Sequence, residues 1–125
     1  MIAVVFEVIP AAGQMDAYLT AAETLRADLL KVDGFISIER FASLNAPGKL
    51  LSLSYWRDEV AIAVWRNFEA HRSTQTLGRA SIFTDYRLCV ANVVRDYGMH
   101  RRVQAPADSR AAHDCESAVE FKGGV

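Results

Sequence analysis

Between Tyr55 and Tyr86 the chain gathers most of the side chains that could do chemistry: Trp56, Trp65, Phe68, His71, Gln75 and Arg79, bracketed by Tyr55-Trp56-Arg57-Asp58 and Asp85-Tyr86. Indole, imidazole, amide and guanidinium groups carry polar tips that need partners when buried. A helix that only filled a core would use Leu, Ile and Val. The segment therefore marks either a lined pocket or a polar structural seam. Each residue has a plain structural alternative. Trp65 and Phe68 fit a core stripe, Trp56 a plug at a strand end, and Tyr86 packing. His71 fits a surface or capping position at a helix end, Gln75 a backbone partner, and Arg79 an ion pair with Asp85 or Glu69. Glu7, the one acid in an apolar strand, either lines a pocket or pairs with an Arg.

The elements that must position these groups are legible in the pattern. Ile2–Ile9 reads as a strand apolar on both faces apart from Glu7, hence covered on both sides. Met15, Tyr18, Leu19, Ala22, Leu25 and Leu29 repeat at helical spacing and predict a helix over Gln14–Val32. Asp33-Gly34 stops it, with Gly34 suited to a left-handed cap. Phe35–Phe41 is the second strand, Ile36 and Ile38 alternating with Ser37 and Glu39. After the turn Asn45-Ala46-Pro47-Gly48, Lys49–Trp56 is the third. Asp58 is an N-cap for a second helix with Ala61, Val64, Trp65 and Phe68 in one stripe. Phe83–Tyr97 reads as a long fourth strand. From Gly98 onward periodicity is lost, giving a domain over residues 1–98 and a C-terminal arm or tail over 99–125 that a partner chain could order.

Composition bounds the function. The chain has 125 residues, 51% hydrophobic and 23% charged, which is globular and of one-domain size. Fourteen Lys and Arg balance 15 Asp and Glu, which gives no basic stripe for nucleic acid or an anionic membrane. No apolar run approaches the roughly 20 residues of a membrane span, and no basic region precedes the N-terminal apolar stretch, so a cytoplasmic protein is expected. Cys89 and Cys115 fit no metal spacing and read as independent reduced thiols.

The order βαββαβ is the ferredoxin-like plan, an α+β fold with a four-stranded antiparallel sheet. Two helices cover one face of such a sheet. The other face, apolar here, calls for a partner, and a homodimer with its sheets packed face to face is the economical answer. The pocket then lies on the opposite side, beneath the helices.

The run Gly34-Phe35-Ile36, Glu39-Arg40-Phe41, Leu53-Ser54-Tyr55-Trp56-Arg57-Asp58-Glu59, Val64-Trp65-Arg66, His71, Gln75, Gly78-Arg79 and Asp85-Tyr86-Arg87-Leu88 resembles the antibiotic biosynthesis monooxygenase (ABM) superfamily, haem-degrading-monooxygenase-like branch. The resemblance covers roughly residues 1–98. It implies a dimeric α+β barrel with a pocket in each protomer. It further implies a monooxygenase that oxidises a small aromatic or polycyclic compound with O2 and no tightly bound metal or cofactor. In that reading His71 is the catalytic base, Arg79 holds the oxyanion, and Trp65, Gln75, Glu7, Phe68 and Tyr86 bind substrate. Haem-degrading relatives imply an alternative, haem binding and cleavage. Of the three positions they use, Trp65 matches, while Gln75 stands where a His is expected and Glu7 where an Asn is. A third alternative is a non-catalytic dimer that binds a small ligand.

Overall fold

The computed structural model describes residues 1–68, 73, 76 and 81–114. The chain divides into two compact units, Met1–Asn92 and Val93–Val125. The first unit contains β1 (Ile2–Pro10), α1 (Met15–Leu29), β2 (Phe35–Ala42), β3 (Leu50–Trp56), α2 (Glu59–Arg66) and β4 (Phe83–Asn92). The four strands form one sheet in the order β2-β3-β1-β4, with every neighbouring pair antiparallel. This is the ferredoxin-like arrangement that the element order implies.

Register assigns the faces. Ile2 pairs with Trp56, Val4 with Ser54 and Phe6 with Ser52, and these residues point towards the helices. One cluster joins Ile2, Leu29, Trp56, Ala61 and Trp65; a second joins Val8, Tyr18 and Ile82. Val8 is wholly buried. The opposite face carries Ala3, Val5, Glu7, Ile9, Leu51, Leu53 and Tyr55, alternating out of the same strands. No helix of the first unit packs on that side among the described residues.

Three sequence expectations shift. β4 ends at Asn92 rather than Tyr97, because Asn92 pairs with Ile2, where β1 begins, and the ladder has no further partner to offer. Ile36 does not alternate with Ile38 on the core. A bulge between Phe35 and Ser37 leaves Ile36 out of register and 52% exposed. α2 stops at Arg66, where Asn67 turns out of helical geometry and its Nδ2 donates to the Ala63 carbonyl at 2.9 Å, so the Trp65 stripe does not run on through one helix.

The second unit is more ordered than its sequence suggests. Arg102 donates from Nε to Asp114 Oδ1 at 2.9 Å and from Nη2 to the Ser109 hydroxyl at 2.7 Å, and its guanidinium lies 5.5 Å from the Tyr97 ring centroid. It gathers the helical segments Ala107–Ser109 and Arg110–Asp114 around itself. Arg102 is thus a local organiser and not a merely solvated charge.

Gly34 has the sharpest steric constraint. Its φ is +93°, and a Cβ there would stand 2.8 Å from the Ala61 Cβ. Its carbonyl accepts from the Arg57 backbone N–H at 2.7 Å. The end of α1 and the start of α2 therefore meet across a residue that must be glycine. Gly34→Ala is expected to cost about 2–4 kcal/mol, from backbone strain plus overpacking. Chemical denaturation of the variant against wild type measures it.

Candidate functional site

α2 is launched where it is needed by Asp58, whose extended backbone and Oδ1 cap the helix by accepting from Ala61 N–H at 2.9 Å. Asp58 Oδ2 also accepts from Arg57 Nε at 2.9 Å, and Arg57 reaches Asp33 at 3.2 Å. The backbone donor first, and Arg57 second, hold the Asp58 carboxyl below its ordinary range, while the two acids raise Arg57 above its own. A carboxyl depressed in the folded state contributes stability above its unfolded pKa and loses it as pH falls through the folded value.

Beside α2 lies an open cleft of about 340 Å³, lined by Glu59, Val60, Ile62, Ala63 and Arg66 and faced by Val90 of β4. That volume lies at the lower end of small-molecule sites. The cleft is apolar at its centre, with a carboxylate and a guanidinium one helical turn or more apart. Leu88, next to Val90 on the helix side of β4, is 53% exposed. Further along, Phe6, Tyr18, Phe83 and Tyr86 form an aromatic group with ring centroids 5.7–6.0 Å apart.

The expected site residues separate. Trp65 is buried in the core cluster and stacks on Phe68 at 5.8 Å and 11° between planes. Trp56 is buried as well, its Nε1 donating to Ser54 Oγ at 2.9 Å. Tyr86 and Phe68 are partly exposed on the helix side, Tyr86 against Phe6 and Phe83. Glu7 lies on the far face of the sheet. It pairs with Lys49 at 3.3 Å and Arg87 at 3.7 Å, beside a hollow of about 250 Å³ that includes Phe41 and Leu51, so it does not share the helix-side cleft. His71, Gln75 and Arg79 lie outside the described residues.

Sequence reasoning passed over one group. Arg40 of β2 is on the helix side, and its Nε is buried with no hydrogen-bond partner among the described residues. The signal was present: Arg40 stands two residues after Ile38, on that strand's core-facing side.

Among the described residues no three His, Cys, Asp or Glu side chains are grouped to hold a metal ion. The described cleft residues offer a carboxylate, a guanidinium and aliphatic groups, with no imidazole or thiolate to bind haem iron. His71 and Gln75, the positions that bear on haem ligation, lie outside the described residues.

The family model for antibiotic biosynthesis monooxygenase matches residues 1–77. The chain belongs to the antibiotic biosynthesis monooxygenase family. It is 46% identical over 93 residues to a jasmonate monooxygenase ABM of Pyricularia oryzae, across 74% of this chain and 43% of that protein. The chain therefore spans less than half the length of that relative. Solved ABM-fold structures superpose well at low identity. One from Mycobacterium tuberculosis gives a TM-score of 0.69 at 14% identity, covering 78% of this chain and 98% of the other. One from Methanosarcina mazei gives 0.66 at 18%, covering 73% and 90%. Another, an antibiotic biosynthesis monooxygenase, gives 0.65 at 17%, covering 75% and 99%. At these identities the structures establish the ABM fold alone. No helix among the described residues is long and apolar enough to cross a membrane.

Replacing Asp58 by Asn keeps an acceptor at the cap but removes the titrating group. Thermal midpoints between about pH 5 and pH 2 should fall more steeply in wild type than in Asp58→Asn, because only wild type loses the carboxylate's contribution on protonation.

Proposed function

We propose that this ABM chain is a monooxygenase acting on a small, mainly apolar compound with O2 on the helix side of the sheet, without a tightly bound metal. The observation that carries this reading is the 46% identity over 93 residues to the fungal jasmonate monooxygenase. The apolar cleft between α2 and β4 supports it by offering a small molecule a place beside the aromatic group. Jasmonate is the first substrate to test, and phenolic aromatic or polycyclic compounds are the second.

The two classes differ in electron balance. In a phenolic methylene compound of the anthrone type, the carbon loses two C–H bonds and gains one oxygen atom as a carbonyl. The second oxygen atom leaves as water, and the substrate supplies all four electrons. His71 as base and Arg79 as the oxyanion's partner suit that route. Hydroxylating an aliphatic C–H of jasmonate takes two electrons from the substrate, so a reductant must supply two more. Oxygen uptake with and without a nicotinamide reductant separates the cases. His71→Ala is expected to lower the phenol-dependent rate about 10²–10⁴-fold. Ala63→Trp, which fills the cleft, should lower turnover of either substrate about tenfold or more, whereas Val64→Trp on the exposed side of α2 should not. Unchanged turnover in Ala63→Trp removes the cleft from the reading.

The same reading makes the protein a cytoplasmic homodimer joined through the sheet faces. Support comes from the half-exposed Val5, Leu51, Leu53 and Tyr55 and the 43% exposed Phe41. Leu53→Glu, at the middle of that face, should convert a dimer into a monomer at micromolar concentration in sedimentation velocity; a wild-type monomer overturns the dimer.

A further inference from the structure

Arg40 is placed where an arginine is hard to explain by stability alone. Register sets it directly across from Ser52, which is buried, and Ser52 across from Phe6, so all three share the helix side of the sheet. An arginine that merely covers apolar surface buries its methylene stem and keeps its N–H groups in water. Arg40 is half-buried, and its Nε is out of water with no hydrogen-bond partner among the described residues. Arg57, Arg87, Arg101 and Arg102 each find a carboxylate, yet none pairs with Arg40 among the described residues. Buried polar atoms are nearly always satisfied, so the Arg40 Nε stands out.

We propose that Arg40 and Ser52 together seat the carboxylate of a small, otherwise apolar ligand. Directly opposed residues on antiparallel strands bring their side chains within about 5.5 Å at Cβ. One carboxylate can therefore accept from the guanidinium and the hydroxyl together. The neighbours on this side, Ile38 and Phe6, are apolar and suit the rest of such a molecule. A single cation matches a monoanion; a phosphate dianion would call for a second. The inference rests on the reading that ligands bind on the helix side, and it specifies their chemistry.

Isothermal titration of the full chain with jasmonate, 1-naphthylacetate and the methyl ester of each tests it. Both acids should bind more tightly than their esters. Arg40→Gln should weaken the acids about 10- to 100-fold and leave the esters unchanged, with Arg40→Lys between. In the wild-type protein the Arg40 Nε–H resonance should move on adding acid and stay put on adding ester, a readout that holds even if Arg40→Gln fails to fold. If naphthylacetate behaves this way and jasmonate does not bind, the carboxylate seat stands and the jasmonate reading falls. If jasmonate is turned over but acid and ester bind equally and Arg40→Gln changes neither, the seat is overturned and the oxygenase reading stands. Failure of both acids to bind at millimolar concentration also overturns the seat.

Discussion

A four-stranded sheet has two faces, and the helices described in the first unit cover only one of them. β1 lies between β3 and β4 and is apolar on both sides, so it forces the issue at the centre of the molecule. On the helix side its even-numbered residues hold both core clusters. On the other side Ala3, Val5 and Ile9 are left with an ion-paired Glu7. The burial of β1 on one face thus sets the position of α1 and α2, the cleft beside α2, and the apolar character of the remaining surface.

The helix-side layer is not uniformly apolar. Trp56 and Trp65 close one end and Val8 with Tyr18 the other. Between them the central strands present Ser52 and Ser54, both buried, with Arg40 at the edge in the same row as Ser52. Ser54 is accounted for by the Trp56 indole. The Arg40 Nε has no such partner among the described residues. Core positions filled by polar groups without a structural partner are where a fold departs from the consistency expected of it, and such departures collect at functional places.

Much of this was readable in the chain because the relevant rules are local. The two-sided apolarity of β1, the Asp58 cap and the left-handed Gly34 each follow from a few adjacent residues. What was not readable depends on neighbours distant in sequence. Val93 and Val94 look like a continuing strand, yet a strand ends where its partner ends, and β1 begins at Ile2. Ile36 looks equivalent to Ile38 until the bulge displaces it. Glu7 could face either way on alternation alone; the register with Leu51 and Arg87 decides it. Arg40 was hidden by an edge strand whose polar residues read as solvated. The order of fold before chemistry is therefore physical: the family pattern is written in turns and caps, while the site is written in cross-strand pairs.

The two tryptophans of this chain occupy the same core cluster, 3% and 9% exposed, and the other cluster is built around Tyr18, Phe6 and Phe83 instead. Indole emission from this protein is consequently a one-ended gauge. Excited at the red edge, where indole alone absorbs, it reports solvent entry at the Ile2 and Leu29 end of the core, and loosening confined to the Val8 end leaves it unmoved.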